Sequence, residues 1–115
     1  MTSLAQTLEA LVDPGSIEPI PVPMRPAKGD YAATLERARE RSGVDESVQV
    51  MRARINGYLV VVIGGEFGFL AGSVGQSAAD RVVAGYQAAT ADSLPVITLP
   101  TSGGTRMQEG AAAFF

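Results

Sequence analysis

Asn56-Gly57 stands between two runs of strand-forming residues, Val48 to Ile55 and Tyr58 to Ile63. That dipeptide is the strongest short hairpin signal in a sequence, because both residues tolerate the positive φ angles of a tight turn. The second run is apolar throughout, whereas a strand wet on one face would alternate, so a strand covered on both faces is predicted. A glycine-rich passage, Gly64 to Gly72, follows. Ser73 and Gln76 then have capping-box spacing, and Ala78, Ala79, Val82, Val83, Tyr86 and Ala89 recur at helical period to about Ala91. Pro95 to Pro100 reads as a third strand, leading into Thr101-Ser102-Gly103-Gly104 and a helix from about Thr105. Strand, glycine turn, helix, strand, glycine turn, helix predicts an α/β sheet with helical crossovers.

Upstream, Ser3 to Val12 reads as a short amphipathic helix. Ser3 and Gln6 have capping-box spacing, Leu4, Leu8, Leu11 and Val12 share one face, and Asp13-Pro14-Gly15-Ser16 stops it. Ile17 to Lys28 carries Pro19, Pro21, Pro23 and Pro26, and prolines at that density predict an extended arm without helix or ladder pairing. Asp30 is expected to cap a charged helix over Tyr31 to Ser42, with Tyr31, Leu35 and Ala38 as its buried stripe and Gly43 as its stop. The chain therefore divides into a helix and proline-rich arm, residues 1–29, and an α/β portion, residues 30–115.

With 115 residues one domain is expected, and 46% hydrophobic against 18% charged residues is a globular balance. The net charge of −3 gives no basic surplus for nucleic acid. The longest apolar run falls far short of the roughly 20 residues of a membrane helix. Neither cysteine nor histidine occurs, which removes disulfides, thiolate or imidazole metal sites, and Ser-His or Cys-His catalysis. A cytoplasmic protein with no membrane and no nucleic-acid partner is expected.

Two passages could carry chemistry. Ser102-Gly103-Gly104 precedes a helix, so nearby backbone N–H groups lack intrahelical acceptors and could be aimed at a developing oxyanion. A plain tight connection accounts for the same residues. Gly64 to Gly75 could cradle phosphates or lie against a flat substrate, yet no lysine follows it, and Phe67, Phe69 and Leu70 interrupt a dinucleotide pattern. Close packing of backbone between layers explains it equally. Arg37, Arg39 and Arg41 interleave with Glu36 and Glu40 as a solvated face, and Arg106 with Glu109 fits a local ion pair as well as a substrate role. Tyr31, Tyr58 and Tyr86 are expected in the core.

Several stretches, in order, resemble the β-type carboxyltransferase subunits of biotin-dependent acyl-CoA carboxylases. They are Ala10 to Ser16, Asp30 to Leu35, the glycine-rich GGEFGFLAGSVG of Gly64 to Gly75, and above all SGGTRMQEG of Ser102 to Gly110. The resemblance implies the amino-terminal part of a crotonase-like fold of ββα units. It implies carboxyl transfer from carboxybiotin to the α-carbon of acetyl-CoA or propionyl-CoA, a step of fatty acid biosynthesis. Gly103 and Gly104 match the pair forming one oxyanion hole, facing either the thioester or the biotin oxygen. Ser102, Arg106, Gly64, Gly65, Phe67, Gly72, Ser73 and Gly75 would line the acyl-CoA side. In such enzymes carboxybiotin releases carbon dioxide and the biotin nitrogen takes the α-proton, so no histidine or cysteine base is required, and no metal is implied.

The implied partners are a complementary carboxyltransferase half, a biotin carboxyl carrier protein and a biotin carboxylase, in an oligomer. The four-cysteine zinc ribbon of many β-type subunits has no counterpart here. The family's domain also continues beyond this length, so the chain is expected to need a partner half before it turns over. Three alternatives stand beside this reading: a malonyl-type decarboxylase subunit, an inactive module docking on carboxylase subunits, and a generic phosphate-binding α/β domain.

Overall fold

The computed structural model describes residues 2–101 together with Arg106 and Glu109. The elements in order are helix α1 (Leu4–Leu11), strand β1 (Glu18–Pro19), helix α2 (Gly29–Ser42), strands β2 (Val48–Ile55) and β3 (Tyr58–Gly65), a 3-10 turn (Leu70–Gly72), helix α3 (Gln76–Asp92) and strand β4 (Val96–Leu99). The sheet order is β1-β2-β3-β4. The first two pairings are antiparallel, and β3 and β4 are parallel through the α3 crossover. The expected ββα order is thus realised.

The hairpin register pairs Ile55 with Tyr58 around Asn56 and Gly57, both at positive φ (51° and 83°). Its turn is held from outside: the Asp13 carboxylate accepts from Asn56 N (2.9 Å) and Gly57 N (2.7 Å). Alternation along β2 and β3 sends Met51, Ala53, Val60 and Val62 to one face, where Leu4, Leu8 and Val12 of α1 cover them. Val48, Val50, Val61 and Ile63 point to the other face, against Ala78 and Ala89 of α3. Gly85 lets α3 approach closely, since a Cβ there would lie 2.7 Å from the Ile63 side chain. Leu35 and Ala38 of α2 bury Phe69 in a third cluster.

The capping box of α1 forms as expected, with Ser3 and Gln6 bonding reciprocally, and Gly43 closes α2 at φ 77°. Four expectations need correction. Glu18 and Pro19 do pair with β2, and Ile20 N donates to Val50 O (3.0 Å). An edge strand tolerates proline because one side of it needs no N–H. Asp30 is not the cap of α2: Lys28 holds that position without a side-chain bond, and Asp30 lies in the first turn, where its charge suits the helix dipole. Ser73 does not cap α3, whose N-cap is Gly75. Tyr58 and Tyr86 are exposed (76% and 49%), because one sits at the hairpin tip and the other on the outer side of α3.

Leu70, Ala71 and Gly72 run consecutively at positive φ (45°, 56° and 73°). An L-residue there costs about 1–2 kcal/mol. Ala71 is exposed, so Ala71→Gly removes the strain without opening a cavity. We expect it to stabilise the fold by about 1 kcal/mol after glycine's greater unfolded-state entropy is counted, read as a raised urea midpoint at unchanged m-value.

Asp45 supplies a pH prediction. Hydrogen bonds from Arg81 Nη1 and Nη2, both 2.8 Å, outweigh the desolvation of its half-exposed carboxyl and lower its pKa to about 2. A depressed folded pKa contributes stability above the unfolded value, about 3.9, that is lost as pH falls through the folded one. Asp45→Asn is therefore expected to flatten stability between about pH 4 and pH 2 in acid titrations followed by circular dichroism.

Candidate active site

The carboxyl ends of the parallel strands β3 and β4 carry the glycine-rich passage and the chain leading to residue 102. A cleft of about 650 Å³ opens there, lined among the described residues by Thr2, Leu4 and Thr7 of the α1 region, Gly65 and Phe67, and Thr98 to Thr101. That size falls within the range of small-molecule sites. None of these lining residues carries a charge. A smaller cavity of about 190 Å³ shares Gly65 and Thr98 to Thr101 with it, and adds Gly64 and Gly72.

The glycines are small because side chains press on them. A Cβ on Gly64 would lie 2.6 Å from Leu4 Cδ1, and one on Gly65 would lie 2.8 Å from Thr101 Oγ1. A Cβ on Gly72 would strike Thr101, and one on Gly75 would strike the Glu109 carboxylate. Of the residues expected to contact substrate, Gly65 and Phe67 line the cleft, and Gly64 and Gly72 reach only the smaller cavity. Gly75 is packed away. Ser73 is also buried, and its hydroxyl donates to Leu70 O (2.8 Å). Ser102, Gly103 and Gly104, with the helix expected from Thr105, lie outside the described residues.

Arg106 is the largest correction among the site residues. Its side chain has no exposed surface, so the expected substrate contact gives way to an internal one. Nη1 donates to Glu46 Oε2 (2.9 Å) and Nη2 to Glu46 Oε1 (2.6 Å), a bidentate fork. Further bonds run from Nη2 to Ser73 O (2.7 Å) and Ser47 Oγ (3.2 Å), from Nε to Ser73 Oγ (3.3 Å), and from Nη1 to Tyr31 Oη (3.3 Å). The guanidinium also lies 5.4 Å from the Phe69 ring centre, within cation–π range. Desolvation works to lower the Arg106 pKa, but the Glu46 carboxylate and the Tyr31 hydroxyl outweigh it and hold it above the ordinary value.

Glu109 extends the network. Its Oε1 accepts from Gln76 N (2.6 Å), supplying the α3 cap that Ser73 does not, and its Oε2 accepts from the Tyr31 hydroxyl. Burial raises the Tyr31 pKa; Arg106 opposes this and Glu109 adds to it. Glu66 is buried on the cleft side, where it accepts from Leu4 N (3.3 Å) at the head of α1 and from Gly68 N (3.3 Å). Glu46, Ser47, Glu66 and Thr101 carried no usable signal in the sequence, since each also has a partner far away along the chain that spacing does not reveal: Arg106, Ser73, Leu4 and Gly72 respectively. No group of metal-ligating side chains occurs among the described residues. No described helix is long and apolar enough to cross a membrane.

The ββα unit, with its glycine-rich passage at the carboxyl end of a parallel strand pair, fits the crotonase-like fold of carboxyltransferases, and comparison with known proteins supplies the family. Residues 3–114 match the carboxyl transferase domain family, and the chain belongs to it. It is 46% identical over 114 residues to the probable biotin-dependent acyl-coenzyme A carboxylase beta3 subunit of Mycobacterium tuberculosis, covering 95% of this chain and 22% of that protein. It is 36% identical over 120 residues to the acetyl-coenzyme A carboxylase carboxyl transferase subunits beta/alpha of Frankia alni, covering 96% of this chain and 19% of that one. Transcarboxylase 12S, solved with methylmalonyl-coenzyme A and methylmalonic acid bound, superposes with a TM-score of 0.81 at 23% identity, over 98% of this chain and 21% of that one. The chain thus spans about a fifth of the length of these relatives.

Proposed function

We propose that this chain forms the acyl-CoA side of a carboxyltransferase site, acting on acetyl-CoA or propionyl-CoA together with a complementary half. The observation that carries the reading is the family match across residues 3–114. Residues 30–115 form the opening of the catalytic domain, and residues 1–29 its helix and arm. The cleft beside Gly65 and Phe67 suits a thioester, since among the described residues that line it none is a carboxylate that would repel the phosphates of coenzyme A. Carboxybiotin, carried on a biotin carboxyl carrier protein and charged by a biotin carboxylase, supplies the carboxyl group. The backbone N–H groups of Gly103 and Gly104 hold the negative charge that develops on an oxygen of the reacting groups, either the thioester or the biotin oxygen. Such preorganised donors act only where charge appears, and so lower the barrier more than they tighten binding. Assembly as an oligomer in the cytoplasm accompanies this role.

Equilibrium binding separates this reading from a generic phosphate-binding domain. Acetyl-CoA or propionyl-CoA should bind and resist displacement by excess ATP. Equal competition by ATP would contradict it.

A further inference from the structure

Leu4 stands between the hydrophobic core and the cleft. It belongs to the cluster that covers one face of β2 and β3, yet it also lines the cleft, as do Thr2 and Thr7 of the same segment. Its side chain is pressed from the sheet side: a Cβ on Gly64 would lie 2.6 Å from Leu4 Cδ1 and 3.0 Å from Cδ2. Its backbone is held as well. Leu4 N donates to the buried Glu66 carboxylate (3.3 Å), and the capping box of Ser3 and Gln6 fixes the turn around it. Leu4 has no room to swing back towards the strands, so it forms a stiff wall.

The chemistry of the cleft says which part of a ligand meets that wall. Among its described lining residues Leu4, Phe67, Leu99 and Pro100 are apolar and the rest are neutral. Phosphates seek cations or free N–H groups at a helix start. Leu4 N and Gln6 N at the head of α1 are already engaged, by Glu66 and Ser3. An apolar chain fits better, and Phe67, 40% exposed, offers it a ring to cover. We infer that Leu4 limits the length of the acyl chain that this cleft accepts. The inference deepens the proposed carboxyltransferase function and rests on it, since it takes the bound molecule to be an acyl-CoA.

The test is equilibrium binding of acetyl-, propionyl- and hexanoyl-CoA to the chain, comparing wild type with Leu4→Ala, Leu8→Ala and Thr7→Leu. Leu4→Ala cuts the wall back. Leu8→Ala makes the same deletion in the same helix, where Leu8 is equally buried (6% each) but does not line the cleft, and so controls for a loosened core. Thr7→Leu adds bulk on the cleft side without opening the core, and decides the matter if Leu4→Ala does not fold. Wild type and Leu8→Ala should bind propionyl-CoA more tightly than hexanoyl-CoA. In Leu4→Ala the hexanoyl-to-propionyl affinity ratio should rise about tenfold or more, since each methylene buried is worth about fourfold. In Thr7→Leu the same ratio should fall about fourfold or more. A wild-type preference for hexanoyl-CoA, a folded Leu4→Ala with the wild-type ratio, or an equal rise in Leu8→Ala would overturn the inference alone; with Leu4→Ala unfolded, an unchanged ratio in Thr7→Leu would do so. A wild-type chain that binds none of the three would contradict the carboxyltransferase reading, and the inference would fall with it.

Discussion

Glu46→Ala is expected to cost about 3–5 kcal/mol of folding stability, the range for breaking one side of a buried ion pair. Arg106 and Glu46 expose 0% and 2% of their side chains, so alanine leaves a buried guanidinium without its bidentate partner, and the Glu109 carboxylate, 3.8 Å from Nη1, is the weaker counter-charge that remains. Arginine cannot relieve this by losing its proton at any ordinary pH. Against the 5–15 kcal/mol that typically holds a domain together, this is a large share. Two comparisons isolate the cause. Glu36→Ala, which breaks an exposed bridge to Arg39, should cost no more than about 0.5 kcal/mol. The double change Glu46→Leu with Arg106→Met should be milder than Glu46→Ala, because it removes both charges. Urea unfolding followed by circular dichroism measures all three, and a Glu46→Ala midpoint equal to wild type would show that the pair is not buried in solution.

The largest effect on rate is expected from Gly104→Pro, assayed in a carboxyltransferase assembled with the rest of its domain. Proline removes one backbone N–H, and losing a donor of this kind costs on the order of 100-fold or more in kcat. KM should change little, because in the proposed role the charge that this N–H meets is present only in the transition state. Gly104→Ala keeps the N–H and should lose less. Steady-state carboxyl transfer separates the two, and a Gly104→Pro enzyme with near wild-type kcat would remove this glycine from the chemistry.

Local patterns carried the fold a long way. Asn56-Gly57, the apolar run before Gly64, the Ser3-Gln6 box and Gly43 each depend on residues a few positions apart, and each formed as the sequence predicts. Expectations failed where a distant group substituted for a local one. Glu109 caps α3 in place of Ser73, and Asp13 fastens a hairpin turn more than 40 residues away. The ion pair of Arg106 with Glu109 that the spacing offered does form, at 3.8 Å, but the main partner of Arg106 is Glu46, 60 residues back along the chain. The glycines of Gly64 to Gly75 marked close approach correctly, although the approaching atoms belong largely to Leu4, Thr101 and Glu109.

The central claim is that this chain supplies one side of a carboxyltransferase site, and its most direct test is transfer of carboxyl from malonyl-CoA to free biotin. The chain should be assayed alone and after mixing with a carboxyltransferase subunit lacking the matching segment. Turnover that appears only in the mixture, and drops about 100-fold with Gly104→Pro, is the expected result. A tight complex that transfers no carboxyl group would contradict the claim and leave a docking module in its place.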